Sequence, residues 1–197
     1  MGQGSITKER IFQVALKTFS KYGYDGTRME KIASEVGINK ASLYFHFKSK
    51  EVLFCELFEG IVKNYQVKLN SIIEESKEFP CRQRLTQIYR SYLAYHWNNA
   101  EMDFWNMVYY FPPEMMREEI IKTTMENETT FINDLTVVMQ EGIHKQELRP
   151  MDALSMAKAY YYLLTCISLS CGLMDQEQGI KDMDNSFEVL WQGIKGM

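Results

Sequence analysis

The sequence lacks the features that mark secreted, disulfide-bonded and membrane-spanning proteins. Its four cysteines form no Cys-x-x-Cys pair and show no disulfide-like spacing, which favours a reducing cytosol. The N-terminus has no basic segment followed by an apolar stretch, so we expect no secretion signal. One uncharged segment, residues 159–174, is too short to cross a bilayer and contains hydroxyl and thiol side chains. These absences predict a cytoplasmic chain that does not associate with membranes.

Motifs of common catalytic and cofactor sites are missing as well. The three histidines are scattered, and neither His-Glu-x-x-His, a Walker lysine loop nor Gly-x-Ser-x-Gly occurs. Cys166 and Cys171 are five positions apart on a presumed helix, so they share no face and make a poor metal pair. We therefore expect no enzyme activity, no catalytic residue, no cofactor and no metal.

Prolines are few, and linkers, repeats and low-complexity tracts are absent. The four prolines fall where helical patterns stop, and alternating strand-like runs do not occur. The sequence therefore predicts an all-α protein of about nine helices. The predicted helices are residues 7–22, 27–36, 39–47, 49–76, 80–98, 101–111, 114–144, 151–172 and 180–194.

Charge is divided unevenly along the chain. Residues 1–50 contain nine basic and four acidic side chains, a net charge of +5, although the whole chain carries −4. Residues 1–50, here called the head, are thus basic, and the rest of the chain is acidic. This division indicates that the head alone binds a polyanion. Random scatter of charge is the alternative.

The sharpest pattern lies between residues 27 and 50, where two short helices flank a tight turn. Thr27 and Glu30 have the spacing of a capping box, and Gly37 suits a left-handed helix end. Apolar positions of the first three helices are placed to form a small core: Ile11, Ala15, Phe19, Ile32, Ala33, Val36, Ile38, Leu43 and Phe47. The third helix would then expose small and polar residues, which fits a DNA major groove about 12 Å wide.

Three stretches within this region are distinctive. They are Phe19-x-x-x-Gly23-Tyr24-x-x-Thr27, Ile32-Ala33-x-x-x-Gly37, and Leu43-Tyr44-Phe45-His46-Phe47-Lys48-x-Lys50. On these residues, segment 8–54 closely resembles the DNA-binding domain of the TetR family of bacterial regulators. The rest of the chain matches the family only in length and helical pattern. The resemblance implies a three-helix helix-turn-helix DNA-binding domain at residues 1–50, a helical effector-binding and dimerisation domain at residues 51–197, and a repressor.

The resemblance also implies which residues contact DNA. Contacts to phosphate, which orient a protein without reading sequence, are implied for Thr27, Arg28, Tyr44, His46 and Lys50. Contacts to base edges are implied for Lys40, Ala41 and Ser42. Phe45 completes the predicted DNA-binding set. Thr27 would also cap its helix, and Tyr44 taken alone would be an ordinary surface aromatic.

Aromatic residues mark the second part of the chain, since eight of the 26 fall within residues 92–111. Tyrosine is costly to bury without a partner for its hydroxyl, and methionine makes an adaptable wall. We therefore predict a pocket for a small hydrophobic or aromatic effector, lined by Trp97, Met102, Phe104, Trp105, Tyr109, Tyr110, Tyr161 and Tyr162. Glu101 and Asp103 nearby would tolerate a cationic ligand. One alternative is that these aromatics form a plain core. Another is that the C-terminal domain recruits a protein partner instead of a small molecule.

The last two predicted helices resemble the dimer interface of the family. The predicted interface residues are Leu164, Ser168, Cys171, Gly172 and Leu190. A homodimer would place two recognition helices about 34 Å apart, one turn of double-stranded DNA, on a near-palindromic operator.

Overall fold

The computed structural model describes residues 3–97, 99–171 and 176–196, which are almost entirely helical. Within these ranges the helices are α1 (Gln3–Gly26), α2 (Met29–Val36), α3 (Lys40–His46), α4 (Lys50–Glu75), α5 (Cys81–His96), α6 (Ala100–Tyr110), α7 (Arg117–His144), α8 (Ala153–Cys171) and α9 (Gln176–Ile194). A 3₁₀ turn precedes α7, and the β-type pairing in the described part is one isolated bridge. The all-α prediction is therefore confirmed. None of the described helices is long and apolar enough to span a bilayer.

Several helix ends follow the local chemistry that the sequence indicated. The side chain of Asn39 accepts a hydrogen bond from the N–H of Ser42 at 2.7 Å, so it caps α3. Ser49 Oγ accepts from the N–H of Val52 at 3.1 Å and caps α4. Gly37 ends α2 with a φ of 80°, the left-handed conformation that favours glycine. These three predicted helix ends are confirmed.

The capping box predicted from Thr27 and Glu30 is wrong. Helix α2 starts two residues after Thr27, and its N-cap residue, Arg28, makes no capping hydrogen bond with its side chain. The Thr27 hydroxyl instead donates to the carbonyl oxygens of Gly23 at 2.7 Å and Thr18 at 3.3 Å. Because Thr27 is 1% exposed, its hydroxyl needs an internal partner, and the interruption of α1 at Gly23 supplies one.

The Cα positions group into two compact units. The first comprises Met1–Tyr65 and Asn99–Thr124, and the second comprises Gln66–Asn98 and Met125–Met197. Helices α4 and α7 contribute residues to both units. The boundary predicted at residue 50 falls inside the first unit, so the functional division at that position stays a prediction.

The first unit is organised around α1, against which α2 and α6 pack, while α3 packs on α2. Eight of the nine predicted core positions of the head are at most 3% exposed, namely Ile11, Ala15, Phe19, Ile32, Ala33, Val36, Leu43 and Phe47. Ile38 is half-buried. On α6, the ring of Phe104 lies 6.5 Å from that of Phe19 and 5.4 Å from that of Phe54. Part of the aromatic-rich segment therefore completes this core.

The second unit is built from α5, α8 and α9, which pack on one another, together with parts of α4 and α7. The fully buried Tyr160 on α8 donates its hydroxyl to the carbonyl of Leu85 on α5 at 2.6 Å. Arg84, also on α5, is 6% exposed and pairs with Glu141 on α7 at 2.5 Å. These polar contacts fix the helices because a buried group without a partner is destabilising.

Replacing Tyr160 with phenylalanine removes a buried hydrogen bond and little else. We expect Tyr160→Phe to lower the free energy of unfolding by about 1 kcal/mol, measured by urea denaturation followed by circular dichroism. The matched control is Tyr162→Phe on the same helix, where the side chain is 54% exposed and we expect a change below about 0.5 kcal/mol. Equal effects of the two substitutions would contradict this account of the α5–α8 contact.

Candidate nucleic-acid interface

Helix α3 has one buried side and one open side. Leu43 and Phe47 are 0% exposed and hold the helix against the core of the first unit. On the open side, Phe45 is 78% exposed and Ala41 is exposed as well. Half-buried positions follow around the helix: Ser42, Tyr44 and His46. The residues predicted to face DNA on α3 therefore lie at its accessible surface.

Lys40, the first residue of α3, has a defined position. Its ammonium pairs with Glu30 Oε1 on α2 and lies 5.7 Å from the ring centroid of Tyr44. The hydrogen bond and the opposite charge raise the pKa of Lys40 and lower the pKa of Glu30. Both groups are charged at neutral pH, and both side chains are more than half exposed. Lys40 is thus accessible, but it is held by a carboxylate.

Lys50, the first residue of α4, is bound to the turn between α1 and α2. Its Nζ donates to the carbonyl oxygens of Tyr24 at 2.7 Å and Thr27 at 3.2 Å. The ammonium also lies 4.1 Å from the ring centroid of Tyr24. An ammonium has three N–H donors, so one remains available for a phosphate. The contact ties the start of α4 to the segment that leads into α2.

The turn before α2 places Thr27 and Arg28 in different surroundings. Thr27 is buried, and its N–H donates to the carbonyl of Tyr24 at 3.2 Å while its hydroxyl donates inside the unit. Both of its donors are used, so its phosphate contact stays a prediction. Arg28 is exposed beside the first N–H groups of α2, which have no acceptor within the helix. Arg28 and these amides are therefore better placed than Thr27 to bind an anion.

Further cations of the first unit lie against aromatic rings. The Nζ of Lys31 is 3.5 Å and that of Lys21 is 5.4 Å from the ring centroid of Tyr22. Their hydrogen bonds and charges lower the pKa of the Tyr22 hydroxyl. The Nζ of Lys8 pairs with Glu56 at 2.7 Å. The ammonium groups of these three lysines therefore have defined partners in the first unit.

Two residues that shape this surface were missed in the sequence. The spacing from Thr27 predicts a capping role for Glu30, and Tyr24 stands only within one of the distinctive stretches. Glu30 contacts a residue ten positions away, and Tyr24 one 26 positions away. Neither spacing corresponds to a helical repeat, so no local pattern indicates these contacts.

The residues predicted to line an effector pocket have varied surroundings. Buried positions on α6 are Met102, Phe104 and Trp105, and half-buried ones elsewhere are Trp97 and Tyr161. Side chains that are 51–54% exposed are Tyr109, Tyr110 and Tyr162. The ring of Trp105 lies 6.0 Å from Phe58 and 5.2 Å from Tyr65, within the first unit. Trp97, Tyr161 and Tyr162 belong to the second unit.

A groove of about 270 Å³ lies between α8 and α9 in the second unit. It is lined by Cys166, Ile167, Ser170, Gly179, Asp182, Asn185 and Ser186, none of which belongs to the predicted pocket. Among the residues that the structure describes, no group of three histidine, cysteine or carboxylate side chains could hold a metal ion.

The predicted dimer residues are partly accessible. Leu164 is 0% exposed inside the second unit, so it has no surface to offer a partner. Ser168 and Leu190 are half-buried, while Gly172 and the side chain of Cys171 lie outside the described residues. Other apolar side chains of these two helices are exposed: Tyr162, Leu169, Ile180 and Val189.

The sequence is similar to a family model and to known transcriptional regulators. The model of the tetR family of bacterial regulatory proteins matches residues 11–57. The chain is 31% identical to YerO, an uncharacterized HTH-type transcriptional regulator of Bacillus subtilis (strain 168), over 143 residues, which are 70% of this chain and 48% of YerO. It is 46% identical over 66 residues to IcaR, a negative transcriptional regulator of the biofilm operon icaADBC in Staphylococcus aureus (strain Newman), covering 34% of this chain and 33% of IcaR. The matches thus span about half or less of the length of these relatives.

The fold is also similar to that of solved structures. A transcriptional regulator from Saccharomonospora viridis, crystallised in complex with choline, superposes with a TM-score of 0.78 at 19% identity. The match covers 98% of this chain and 100% of that chain.

The bonds of Lys50 to the α1–α2 turn predict a loss of stability on its removal. We expect Lys50→Met to lower the free energy of unfolding by about 1–2 kcal/mol, because two carbonyls lose a charged donor. Lys48→Met is the control, since Lys48 is exposed and should change stability by less than about 0.5 kcal/mol. Thermal or urea unfolding of the two variants makes the comparison, and an unaffected Lys50→Met protein would rule out a structural role for this contact.

Proposed function

Because the chain belongs to the TetR family of bacterial regulatory proteins, we propose that it is a cytoplasmic, sequence-specific DNA-binding regulator of transcription. The observation that carries this proposal is the open face of α3. It starts with Lys40 and is held from behind by the buried Leu43 and Phe47, while Arg28 and Lys50 stand at the starts of α2 and α4. A short exposed helix that begins with a lysine, together with cations at two other helix starts, suits a major groove and its phosphates.

The docking that we propose divides the surface by chemistry. Helix α3 enters the major groove, where base edges are read by Lys40, Ala41 and Ser42. The Lys40 ammonium suits the acceptors of guanine, and the Ala41 methyl suits that of thymine. Phosphates are bound by Arg28, the first amides of α2, Tyr44, His46 and the remaining donor of Lys50.

We further propose that the chain acts as a homodimer through α8 and α9. The exposed Leu169, Ile180 and Val189 support this, because apolar side chains on neighbouring helices favour burial against a second copy. Two copies related by a twofold axis match a near-palindromic operator with half-sites about 34 Å apart.

The direction of regulation that we propose is repression relieved by an effector. The relative IcaR is a negative regulator, which supports the first half of this proposal. Relief by an effector is supported by Lys50, which links the start of α4 to the turn before α2. A shift of α4 would therefore move the proposed phosphate-binding elements. An effector that favours the shifted state by a few kcal/mol would then empty the operator.

The effector that we propose is a small hydrophobic or aromatic molecule. Tyr109 and Tyr110 have accessible ring surface that a ligand could contact. The similarity to a regulator crystallised with choline, together with the carboxylates of Glu101 and Asp103, extends the class to organic cations. Phe111, which is 77% exposed, favours the alternative that this region binds a protein partner.

The direct test of DNA binding is selection of short random duplexes, followed by fluorescence anisotropy at several salt concentrations. We expect a near-palindromic winner and an affinity whose logarithm falls with log[salt] by about 0.9 per phosphate contact. Lys40→Ala should lose discrimination at one or two base pairs, whereas Arg28→Ala should weaken binding to every sequence alike. Absence of binding at low salt by refolded, ligand-stripped protein would refute the proposal. Identical behaviour of both variants on winning and random duplexes would refute the division of contacts.

Effector binding can be followed through tryptophan fluorescence, because the chain has three tryptophans and two lie in the predicted pocket. A medium-chain fatty acid and choline are suitable probes, because neither emits where tryptophan does. We expect a probe that releases DNA to change the emission, with the change reduced in Trp105→Phe and kept in Trp191→Phe. Trp191, which is 8% exposed on α9, is the matched control. Loss of the signal in Trp191→Phe alone would place the effector elsewhere.

A further inference from the structure

Glu30 introduces a negative charge on the side of the head that is proposed to meet DNA. Its carboxylate pairs with Lys40, and both side chains remain more than half exposed, at 55% and 58%. Arg28, two residues earlier, also attracts it and contributes to the lowered pKa of Glu30. A carboxylate among cations that bind phosphates opposes binding, because it repels every phosphate nearby.

We propose that Glu30 is a specificity-determining residue that holds the Lys40 ammonium for base reading and restrains it from binding phosphates of unrelated DNA. The inference rests on the proposed function, and it concerns a residue that does not itself need to contact a base. Glu30 is thus a positioning residue for Lys40.

The geometry around Lys40 explains why positioning is needed. Lysine is a point charge on a flexible four-carbon stem, so an unrestrained ammonium at the start of α3 would bind any phosphate within reach. Here the ammonium is held between the Glu30 carboxylate and the Tyr44 ring one helical turn away. The helix start itself is fixed by the Asn39 cap, so the position of the Lys40 backbone is defined as well.

The two binding modes differ in what happens to the Glu30–Lys40 pair. On a cognate site, Lys40 can donate to the O6 and N7 atoms of guanine and keep one N–H on Glu30, because an ammonium has three donors. On unrelated DNA, a phosphate contact would draw Lys40 away and leave Glu30 unpaired beside a polyanion. The carboxylate therefore disfavours non-specific binding more than specific binding.

The test is Glu30→Gln, which keeps the shape of the side chain and removes its charge. Dissociation constants are measured at one salt concentration for the selected duplex and for a random duplex of equal length. We expect affinity for the random duplex to rise about fivefold and affinity for the selected duplex by less than about twofold. The ratio of specific to non-specific affinity should therefore fall.

Two further variants separate positioning from simple removal of charge. Glu35 is an exposed carboxylate on the same helix, and no ion pair is found for it in the described part of the chain. Glu35→Gln should raise both affinities by the same small factor and leave their ratio unchanged. In a Lys40→Ala background, Glu30→Gln should likewise leave the ratio unchanged, because the residue it positions is absent.

The outcomes distinguish this inference from the proposed function. If the wild-type chain selects a duplex but Glu30→Gln changes the ratio no more than Glu35→Gln does, the inference is wrong and DNA binding stands. If the wild-type chain binds neither duplex, the proposed function fails and the inference fails with it. Urea unfolding of Glu30→Gln should match wild type, since a surface ion pair contributes little to stability. A ratio that falls equally in the Lys40→Ala background would also overturn the inference.

Discussion

Burial of one side of α3 is the constraint on which the rest of the head depends. Helix α3 has only seven residues, and an isolated helix shorter than about 12–15 residues is marginal in water. Leu43 and Phe47 stabilise this short helix, because both are fully buried in the core. The ring of Phe47 lies 5.3 Å from that of Phe12 on α1. Its open side is consequently free to carry residues selected for chemistry rather than for stability.

Several cations of the head are also held in defined positions. Lys40 is held by Glu30, Lys50 by two backbone carbonyls, and Lys31 by the ring of Tyr22. A side chain already held in place loses less conformational entropy when it binds a partner. Several cations of the head therefore have defined positions before any partner binds.

Much of this architecture could be predicted from local sequence. Apolar residues at helical spacing identified the buried positions of the head, and Asn39, Ser49 and Gly37 marked three helix ends, because such features depend on near neighbours. Local spacing predicts a helix cap at Thr27, but burial directs its hydroxyl to the carbonyl of Gly23. The pattern could not show that the interruption of α1 at Gly23 would leave a carbonyl oxygen within reach of this hydroxyl.

The contacts that sequence could not reveal are long-range. The aromatic segment of α6 has the period of a helix, but nothing in that period shows that Phe104 packs against Phe19 on α1. Likewise, Glu30 and Lys40 are unremarkable charges until two helices bring them together. Helical period indicates which face is buried, while the identity of the partner depends on the whole fold.

Amide hydrogen exchange of the full chain, with and without its selected duplex, tests most directly whether the α2–α3 surface binds DNA. If it does, exchange should slow at the first amides of α2 and through residues 40–50, while α9 exchanges at the same rate with and without the duplex. Protection centred outside the first unit, or none within α3 at saturating duplex, would contradict the assignment of this surface.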